Sequence, residues 1–550
     1  MYDVIKDILR RSLLEISIIF IISIGLIIVI GKLYPELKIY YNVLYLFAVS
    51  FSLETIILKY YKIKNSIDRD LLYYISYIYS LSFSTYNIKN LLDISIQEEK
   101  DFKEINSYMK RVLDLVKKYN YTIPEAIRYI LSYVPKSNFK SFLERFATSI
   151  DIGQDLSDFL YKEYENAMSL YDTEYKKGLE NIRLLQEFIL SLLSSLSFAF
   201  SLVLFIPFLI SYNIYILLLD FGIIFFIINI MIYYLSKYYI PDDDLWAKAK
   251  EKPKEYEDTK KLFYILVLLS YVLALSLFFV EKLPLLEAIS IGIAPLTYIS
   301  YKMINLERIL KVKENHFPAF FSSIIEYSEI FGNNQVKILD DVIVHDYSLL
   351  NEDIEKLRRR ITITKNYEES WRYFITELGS RLAEKIIRVF EKVLEYNGDT
   401  KKAGNMLYDI LIKIIELRNR KSQFVSNLRG IIYGTYIAFA AILFIIAQII
   451  YSMENMFQGI STALGSSTVS EIGINFFSFN LPLSFLNNYI SILLFFQAIA
   501  LALALKNIQG GSKLGIFLDI TILVWIAALL DIGVFYFFTH VLSGLSIIKS

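Results

Sequence analysis

The residues that could support chemistry are few and dispersed. The 550-residue chain has no cysteine and three histidines, His316, His345 and His540. Thiolate catalysis and cysteine-type zinc sites are therefore excluded, and the histidines are too scattered for an ordinary transition-metal centre. No G-x-x-x-x-G-K-S/T segment occurs, so the phosphate-binding loop of a nucleotide hydrolase is missing. The sequence predicts a protein that is not an enzyme and that binds no cofactor or metal.

Two short segments have both a functional and a structural interpretation. The three aspartates at 242–244 could bind a metal, or they could begin a helix, where negative charge is favoured. His316 precedes Phe317 and Pro318, and a proline in the first turn of a helix explains this segment without a catalytic histidine. In both cases we favour the start of a helix.

Arginines supply the sharpest surface feature of the sequence. Arg358, Arg359 and Arg360 form either a solvated helix face with i, i+4 ion pairs or a patch that docks a partner. Arg418 and Arg420 precede an apolar stretch by about ten residues, which is roughly 15 Å along a helix. Contact with lipid headgroups explains these two arginines most simply, and contact with a partner is the alternative.

Five carboxylates lie within or at the edges of apolar stretches. Such residues are functional candidates because burying a charge in lipid is costly. They are scattered, and we find no matching lysine or arginine within the stretches. Placement at the edge of a span and contacts between helices therefore explain them better than a proton path. The five are Glu54, Asp220, Glu287, Asp519 and Asp531.

The elements that must position these residues are membrane helices. Hydrophobic residues make up 55% of the chain, whereas soluble proteins average about 45–50%. The excess lies in runs of about 20 residues, the length that spans a bilayer as a helix. The sequence predicts nine spans, at 13–31, 40–59, 188–211, 213–235, 262–280, 283–303, 431–451, 489–505 and 514–538.

The distribution of lysine and arginine predicts the orientation of these spans. With the N-terminus inside, the short inner segments 1–12, 236–261 and 506–513 carry 12 of these residues, and the outer segments carry four. Residues 452–488 contain neither lysine nor arginine, so we place this loop outside. The prediction is a multi-pass cell-membrane protein with a cytoplasmic N-terminus and an extracellular C-terminus.

Two polar stretches between the spans resemble each other at an offset of about 245 residues. The segment at 125–130 aligns with 369–374, and Gly153 aligns with Gly398. Each copy contains an apolar stripe with helical spacing, from Phe139 to Ile150 and from Leu382 to Leu394. The first stripe should end at Gly153 in a left-handed conformation. After the second, Asp399 or Thr400 should cap the next helix.

These observations predict an all-α polytopic membrane protein with two repeated cytoplasmic antiparallel helical bundles. The predicted domains are an N-terminal transmembrane pair (1–59), a first cytoplasmic domain (60–187), four transmembrane helices (188–303) with an inner loop at 236–261, a second cytoplasmic domain (304–430) and three transmembrane helices (431–550) with an outer loop at 452–488.

Several helical segments resemble the platform proteins of type IV pilus and type II secretion systems, most closely the archaeal branch that serves archaella and adhesive pili. The likeness covers roughly residues 60 to 455. The segments that carry it are 142–148 with Gly153 and Leu156, 317–320, 370–374, 378–380, Gly398 and 417–420.

The resemblance implies a non-catalytic platform for filament assembly. It would form a homodimer, bind a hexameric cytoplasmic secretion ATPase, and couple that ATPase to insertion of pilin-like or archaellin-like subunits. The resemblance assigns ATPase docking to basic residues of the second cytoplasmic domain. We therefore select Arg358, Arg359 and Arg360, with Arg418 and Arg420 in reserve. A secondary transporter or channel with cytoplasmic regulatory domains is the alternative function.

Overall fold

The protein is helical throughout the part that its computed structural model describes. The described residues are 63–64, 66–82, 88–97, 102–209, 213–238, 244–247, 253–281, 283–332, 334–396, 398–464 and 482–542. No β-strand occurs among them, and their one β-bridge joins Trp246 to Ser380. The predicted spans 13–31 and 40–59, together with Glu54, Asp242 and Asp243, lie outside these residues.

A first series of helices begins the described chain. Their order is α1 (66–82), α2 (Ile88–Gln97), α3 (Lys103–Tyr119), α4 (Ile123–Ile130), α5 (Asn138–Asp151), and α6 (Leu156–Leu209), which continues into an apolar stretch. Three further helices follow, namely α7 (Ile214–Tyr238), α8 (Lys254–Phe279) and α9 (Leu285–Phe331).

A second series follows in a similar order. It comprises α10 (Gln335–Val342), α11 (Asn351–Thr364), α12 (Tyr367–Leu378), α13 (Arg381–Glu395) and the long α14 (Thr400–Leu464). The described chain ends with α15 (Leu483–Gln509) and α16 (Ile516–Phe537).

Six of the described helices are long and apolar enough to cross a membrane. The candidate segments are Leu156–Pro207, Ile214–Lys237, Lys254–Phe279, Thr400–Met453, Leu483–Gln509 and Lys513–His540, the last of which extends α16 by a short helical turn at each end. The predicted span 283–303 is helical within α9 but is not one of the six. Its apolar run is interrupted by polar residues such as Ser290, Thr297 and Ser300. The count of nine spans stays a prediction.

By its contacts the chain divides into two compact units. The first comprises Met1–Tyr175, His316–Arg372 and Leu382–Ile414. The second comprises Lys176–Asn315, Tyr373–Arg381 and Ile415–Ser550.

The apolar stripes form the core of the first unit. Phe139, Phe142 and Phe146 of α5 are fully buried, with ring centroids 6.4 and 5.6 Å apart along the row. The stripe on α13 is also buried, and Phe390 packs edge-on against Phe321 at 5.1 Å. Both predicted stripes are confirmed. Burial of such side chains contributes about 1.5–3 kcal/mol each, so each helix is held by its packed face.

The two series also share the capping residues of their helices. Thr122 and Glu125 form a reciprocal capping box at α4. At Asn366, 244 positions later, the side-chain oxygen likewise accepts the backbone N–H of Glu369 before α12, but it is the Asn366 side-chain amide, not its backbone N–H, that donates to the Glu369 carboxylate. A residue in the left-handed conformation lies shortly before each of these helices. It is Asn120 before α4, with a φ of 57°, and Lys365 before α12, with a φ of 52°. Matching caps in a matching order support the predicted duplication.

The predicted ends of α5 and α13 agree with the structure in their main features. α5 ends at Asp151, and Gly153 has a φ of +69°. Its equivalent Gly398 donates its backbone N–H to the Val393 carbonyl at 2.9 Å. Asp399 then accepts the backbone N–H of Lys402 at 3.0 Å and so caps α14, as predicted.

The interpretation of His316 and Pro318 as the start of a helix is wrong. α9 runs without interruption from Leu285 to Phe331, so Pro318 lies deep inside it. An internal proline removes one backbone hydrogen bond and crowds the preceding turn. Phe317 and Phe320 are fully buried on either side of it, and their packing holds the helix through the proline.

One acidic residue of the first unit makes its stability depend on pH. Asp68 of α1 accepts the backbone N–H of Asn138 at 2.8 Å. Burial raises the pKa of Asp68 from 3.8 to about 6, against the opposing effects of the Asn138 hydrogen bond and of Lys64. The folded protein therefore binds this proton more tightly than the unfolded chain, and stability falls as the pH rises from about 4 to about 6.

Replacing Asp68 with Asn should stabilise the first unit near neutral pH. The amide keeps an acceptor for Asn138 but cannot ionise. Since the shift is about two pKa units and each unit corresponds to about 1.4 kcal/mol, we expect a gain of up to about 3 kcal/mol near pH 7.5 and no gain near pH 4. Thermal unfolding in detergent at both pH values measures the difference in stability between D68N and wild type. Asp151→Asn, at an exposed carboxylate, is the control, and equal stability of D68N and wild type at neutral pH would contradict the assignment.

Candidate functional site

The basic run lies on the solvent side of α11. Arg358 Nε is 2.6 Å from Asp340 Oδ1 of α10, and Arg359 pairs with Glu355 one turn earlier in its own helix. Their side chains are 42% and 69% exposed. The opposite face of α11 is buried. The run thus combines a tie between two helices, at Arg358, with an accessible guanidinium at Arg359.

Arg418 and Arg420, two residues apart on α14, occupy different environments. The Arg418 side chain is 17% exposed, and its Nη1 lies 3.0 Å from Glu314 Oε1. Its Nη2 donates to the backbone carbonyl of Asp244 at 3.3 Å. Arg420 is 52% exposed and pairs with Glu416 on its own helix. Of the two reserve candidates, only Arg420 is accessible to a partner.

The Arg418 ion pair anchors a short extended segment at 244–247. The backbone N–H of Ala247 donates to Gly379 at 2.7 Å, and that of Arg381 donates to Leu245 at 3.0 Å. The interpretation of Asp244 as the start of a helix is therefore wrong. Local charge favoured a helix there, but backbone hydrogen bonds to the turn between α12 and α13 hold the segment extended.

Gly379 and Ser380 make this turn fit. Gly379 has a φ of +72°, and a Cβ atom there would lie 3.3–3.5 Å from Pro253, Leu310 and Trp246. The left-handed conformation and the close packing both favour glycine. Ser380 is fully buried and donates its hydroxyl to Glu314, the carboxylate that also holds Arg418.

A second buried ion pair lies about two turns earlier on the same face of α9. Lys506 Nζ is 3.0 Å from Glu307 Oε2, and the two side chains are 3% and 7% exposed. Glu307 Oε1 also accepts the backbone N–H of Ser512. Gly511 has a φ of +82°, and a Cβ atom there would lie 2.4 Å from Glu307 Oε1. The glycine turn after α15 is therefore shaped around this carboxylate.

Lys311 stands between these two carboxylates on α9. Burial lowers the pKa of Lys311, and the neighbouring cations Lys506 and Arg418 lower it further, while Glu307 and Glu314 oppose the shift. The carboxylates are already engaged with other cations. Glu307, Lys311 and Glu314 therefore form a row of alternating charges along one face of α9.

Of the predicted membrane carboxylates, Asp519 has a clear structural role. It lies 3.2 Å from Arg429 Nε and accepts the hydroxyl of Tyr433. Arg429 lies two residues before its predicted span, so Asp519 makes a contact between helices at the edge of the spans, which is the interpretation that the sequence favours. Asp531 lies within electrostatic range of Glu287. Within the described residues Asp220 has no ion pair.

The structure does not gather the predicted residues into one centre. No group of three or more His, Asp or Glu side chains in the described ranges is arranged to hold a metal ion. Sequence reasoning missed Glu307, Glu314 and Lys506. The only signal was the spacing of Glu307, Lys311 and Glu314 at i, i+4 and i+7, which places three charges on one face.

Two curated archaeal proteins match nearly the whole chain. Flagella accessory protein J of Methanocaldococcus jannaschii is 27% identical over 481 residues, which cover 85% of this chain and 84% of the relative. The protein of the same name from Methanococcus voltae is 27% identical over 483 residues, 85% of each chain. The chain is similar to flagella accessory protein J. The resemblance predicted from the sequence is confirmed.

The similarity to flagella accessory protein J extends well beyond the membrane helices. A match over 85% of the chain is longer than the apolar segments alone. No protein-family model matches the chain, and no solved structure matches it.

Breaking the buried ion pair should cost far more than breaking an exposed one. Lys506→Met leaves Glu307 buried with an uncompensated charge, which costs about 3–5 kcal/mol. Glu307→Gln in the same chain should recover part of the loss. Arg183→Met, at an exposed pair with Glu180, should cost below about 1 kcal/mol. Thermal unfolding in detergent compares them, and similar losses for K506M and R183M would refute the role of the pair.

Proposed function

We propose that this chain is an integral membrane platform for assembly of an archaellum, the archaeal form of a type IV pilus-like filament. The similarity to flagella accessory protein J, over about the same share of both chains, is the observation that carries the proposal. Six apolar helices, joined to two helical series with matching caps, support a membrane protein with large polar domains.

The proposed role is mechanical rather than catalytic. A cytoplasmic hexameric secretion ATPase binds the polar domains, and its cycle drives insertion of archaellin-like subunits. Long helices suit this task. α14 has 65 residues, so it is roughly 100 Å long at 1.5 Å per residue. It is continuous from its polar beginning at Thr400 into its apolar part, so a displacement at one end reaches the other.

The orientation follows from the charge of the loops. Both polar domains, 60–187 and 304–430, are cytoplasmic in this proposal, as is the N-terminus, and the C-terminus is extracellular. The platform acts as a homodimer. The five domains keep the boundaries given by the sequence.

Arg359 and Arg360 contact the ATPase. Arg358 also contacts it and, through its ion pair with Asp340, holds α11 to α10. The exposure of Arg359 supports this assignment, and Arg420 offers a second accessible cation. Arg418 is engaged with Glu314 and is better assigned to internal structure. Rim charges of this kind act mainly on association rate and partner choice.

A secondary transporter or channel is less well supported. Such proteins place ionisable groups and broken helices at the membrane midplane. Here Asp519 lies beside the polar end of its span and is neutralised by Arg429. Its contacts join two helices and provide no path across the bilayer.

Co-purification tests the platform itself. A tagged full-length protein, extracted from native membranes in mild detergent, should carry with it a secretion ATPase and an archaellin-like subunit. Recovery of intact, oligomeric protein with neither of them would refute the platform role. Solute flux in liposomes would then become the measurement to make.

Charge reversal tests the docking surface. Arg359→Glu with Arg360→Glu should weaken ATPase binding at least tenfold and change its dependence on salt, because attraction across the interface becomes repulsion. This double variant keeps the Arg358–Asp340 tie, so α11 should remain folded. Adding Arg358→Glu should weaken binding further.

Arg183→Glu is the matched control, since Arg183 is an exposed arginine that pairs within its own helix. Binding should be measured at low and at high ionic strength. Unchanged binding of the double variant at low ionic strength would exclude docking at α11 while leaving the platform role intact.

A further inference from the structure

Helices α7 and α15 run side by side in the same direction. Two aromatic contacts, with ring centroids 5.4 and 5.2 Å apart, and two hydrogen bonds, 2.6 and 3.1 Å long, join them. The two members of each contact are 270 or 271 residues apart in the sequence, so each residue of α7 lies level with the α15 residue about 270 positions later. The pairs are Tyr215 with Phe485, Phe226 with Phe496, Leu218 with Tyr489, and Ser236 with Asn507.

Helix α14 contacts both members of this pair. Its Phe439 stacks on Phe225 of α7, with ring centroids 6.1 Å apart. Its Tyr436 hydroxyl donates to the Leu494 carbonyl of α15 at 3.0 Å. All four residues are at most 2% exposed. The three helices therefore meet at one closed junction.

Each of the three helices carries a buried polar side chain at nearly the same level of this junction. Asn229 of α7 is 5% exposed, and Tyr436 and Gln497 are 0% exposed. At the common offset Asn229 is level with residues 499–500 of α15, about 3–5 Å beyond Gln497 along the helix axis. Tyr436 bonds to Leu494, about 5 Å before Gln497. The three side chains thus lie within about two helical turns of one another.

Gln497 interrupts an apolar stripe along α15. The stripe residues recur at spacings of three and four, and each is at most 5% exposed, so the stripe faces other helices rather than lipid. A carboxamide in such a stripe has to find its hydrogen-bond partners inside the protein. The apolar members of the stripe are Leu486, Ile490, Leu493, Leu501, Ala504 and Ile508.

Three amide atoms at this level have no hydrogen-bond partner among the described residues. They are Asn229 Oδ1, Gln497 Oε1 and Gln497 Nε2. The other amide atom of Asn229, Nδ2, donates to the carbonyl of Phe225, one turn earlier in its own helix, at 2.9 Å. The Tyr436 hydroxyl proton is engaged by Leu494. Unpaired polar groups are costly inside a bilayer, because lipid supplies neither donors nor acceptors.

Water fits the chemistry of these atoms. Asn229 Oδ1 and Gln497 Oε1 are acceptors, and Gln497 Nε2 is a donor. A water molecule both donates and accepts hydrogen bonds, and buried waters typically make about three of them to polar groups that lack other partners. The Asn229, Tyr436 and Gln497 side chains are neutral, so they provide no charge to hold an ion.

We propose that Asn229, Tyr436 and Gln497 form a water-binding site in the apolar part of the protein, where α7, α14 and α15 meet. Bound water bridges Asn229 Oδ1 to the Gln497 carboxamide and donates to the Tyr436 hydroxyl oxygen. The bridge fixes the three helices at one level, since none can slide past the others without losing hydrogen bonds. This inference depends on the packing of the three helices and is independent of the ATPase and the filament.

Radiolytic labelling tests for this water directly. An X-ray pulse splits bound water into hydroxyl radicals, which oxidise the side chains beside it, and mass spectrometry measures the rate for each residue. The full-length protein in lipid nanodiscs is compared with the double variant Asn229→Leu with Gln497→Met, which removes both carboxamides and nearly keeps the side-chain volumes. Phe146, a fully buried ring of the first unit, is the internal reference.

We expect oxidation of Tyr436 to be roughly fivefold faster in wild type than in the double variant, because the bound water is the source of the radicals. The rate at Phe146 should be the same in both proteins. Equal rates at Tyr436 in the two proteins would overturn the site, since the radicals would then come from elsewhere.

Thermal unfolding supplies a second test through the sign of one substitution. If water satisfies the Gln497 carboxamide, Gln497→Met loses hydrogen bonds and should lower the unfolding temperature by about 2–4 °C. Leu501→Met, one turn further along the same buried stripe, is the control for packing alone. A Q497M variant as stable as L501M, or more stable, would mean that the carboxamide has no partners, and the water site would be refuted.

Discussion

A charge buried beside a membrane must keep an opposite charge next to it. The desolvation penalty is several kcal/mol per ion, and only a close partner with additional hydrogen bonds offsets it. Glu307 and Glu314 of α9 both meet this condition. Glu307 has Lys506 and the backbone of Ser512, and Glu314 has Arg418 and a serine hydroxyl. If either carboxylate moved away, its cationic partner would be left buried without an opposite charge.

This constraint makes α9 the organising helix of the second unit. At its apolar end, the tight contact of Gly292 with Ala274 joins it to α8, and the Ser290 carbonyl accepts the indole N–H of Trp525 in α16. Further along, Ser300 donates to the Leu514 carbonyl, and the two ion pairs follow. Small residues allow close approach where the helix is apolar, and charges fix its neighbours where it is polar.

The sequence predicted the features that depend on near neighbours. The stripes on α5 and α13, the left-handed Gly153 and the cap at Asp399 all follow from residues within a few positions of each other. The failures share the opposite property. Pro318 lies inside a helix because the neighbouring rings of Phe320 and Phe321 pack against Tyr347 and Phe390, which are far away in the chain. Arg418 is internal because it pairs with Glu314, and this carboxylate lies 104 positions away in the chain. No local pattern reports such partners.

In the predicted duplication, the helix caps repeat and the candidate docking surface does not. Capping pairs recur 244 positions apart because each helix needs its own start. The residues 244 positions before the basic run of α11 are Asp114, Leu115 and Val116, which carry no positive charge. Two copies of one frame therefore present different surfaces. The docking surface proposed on α11 therefore belongs to the second series and is not repeated at the equivalent positions of the first.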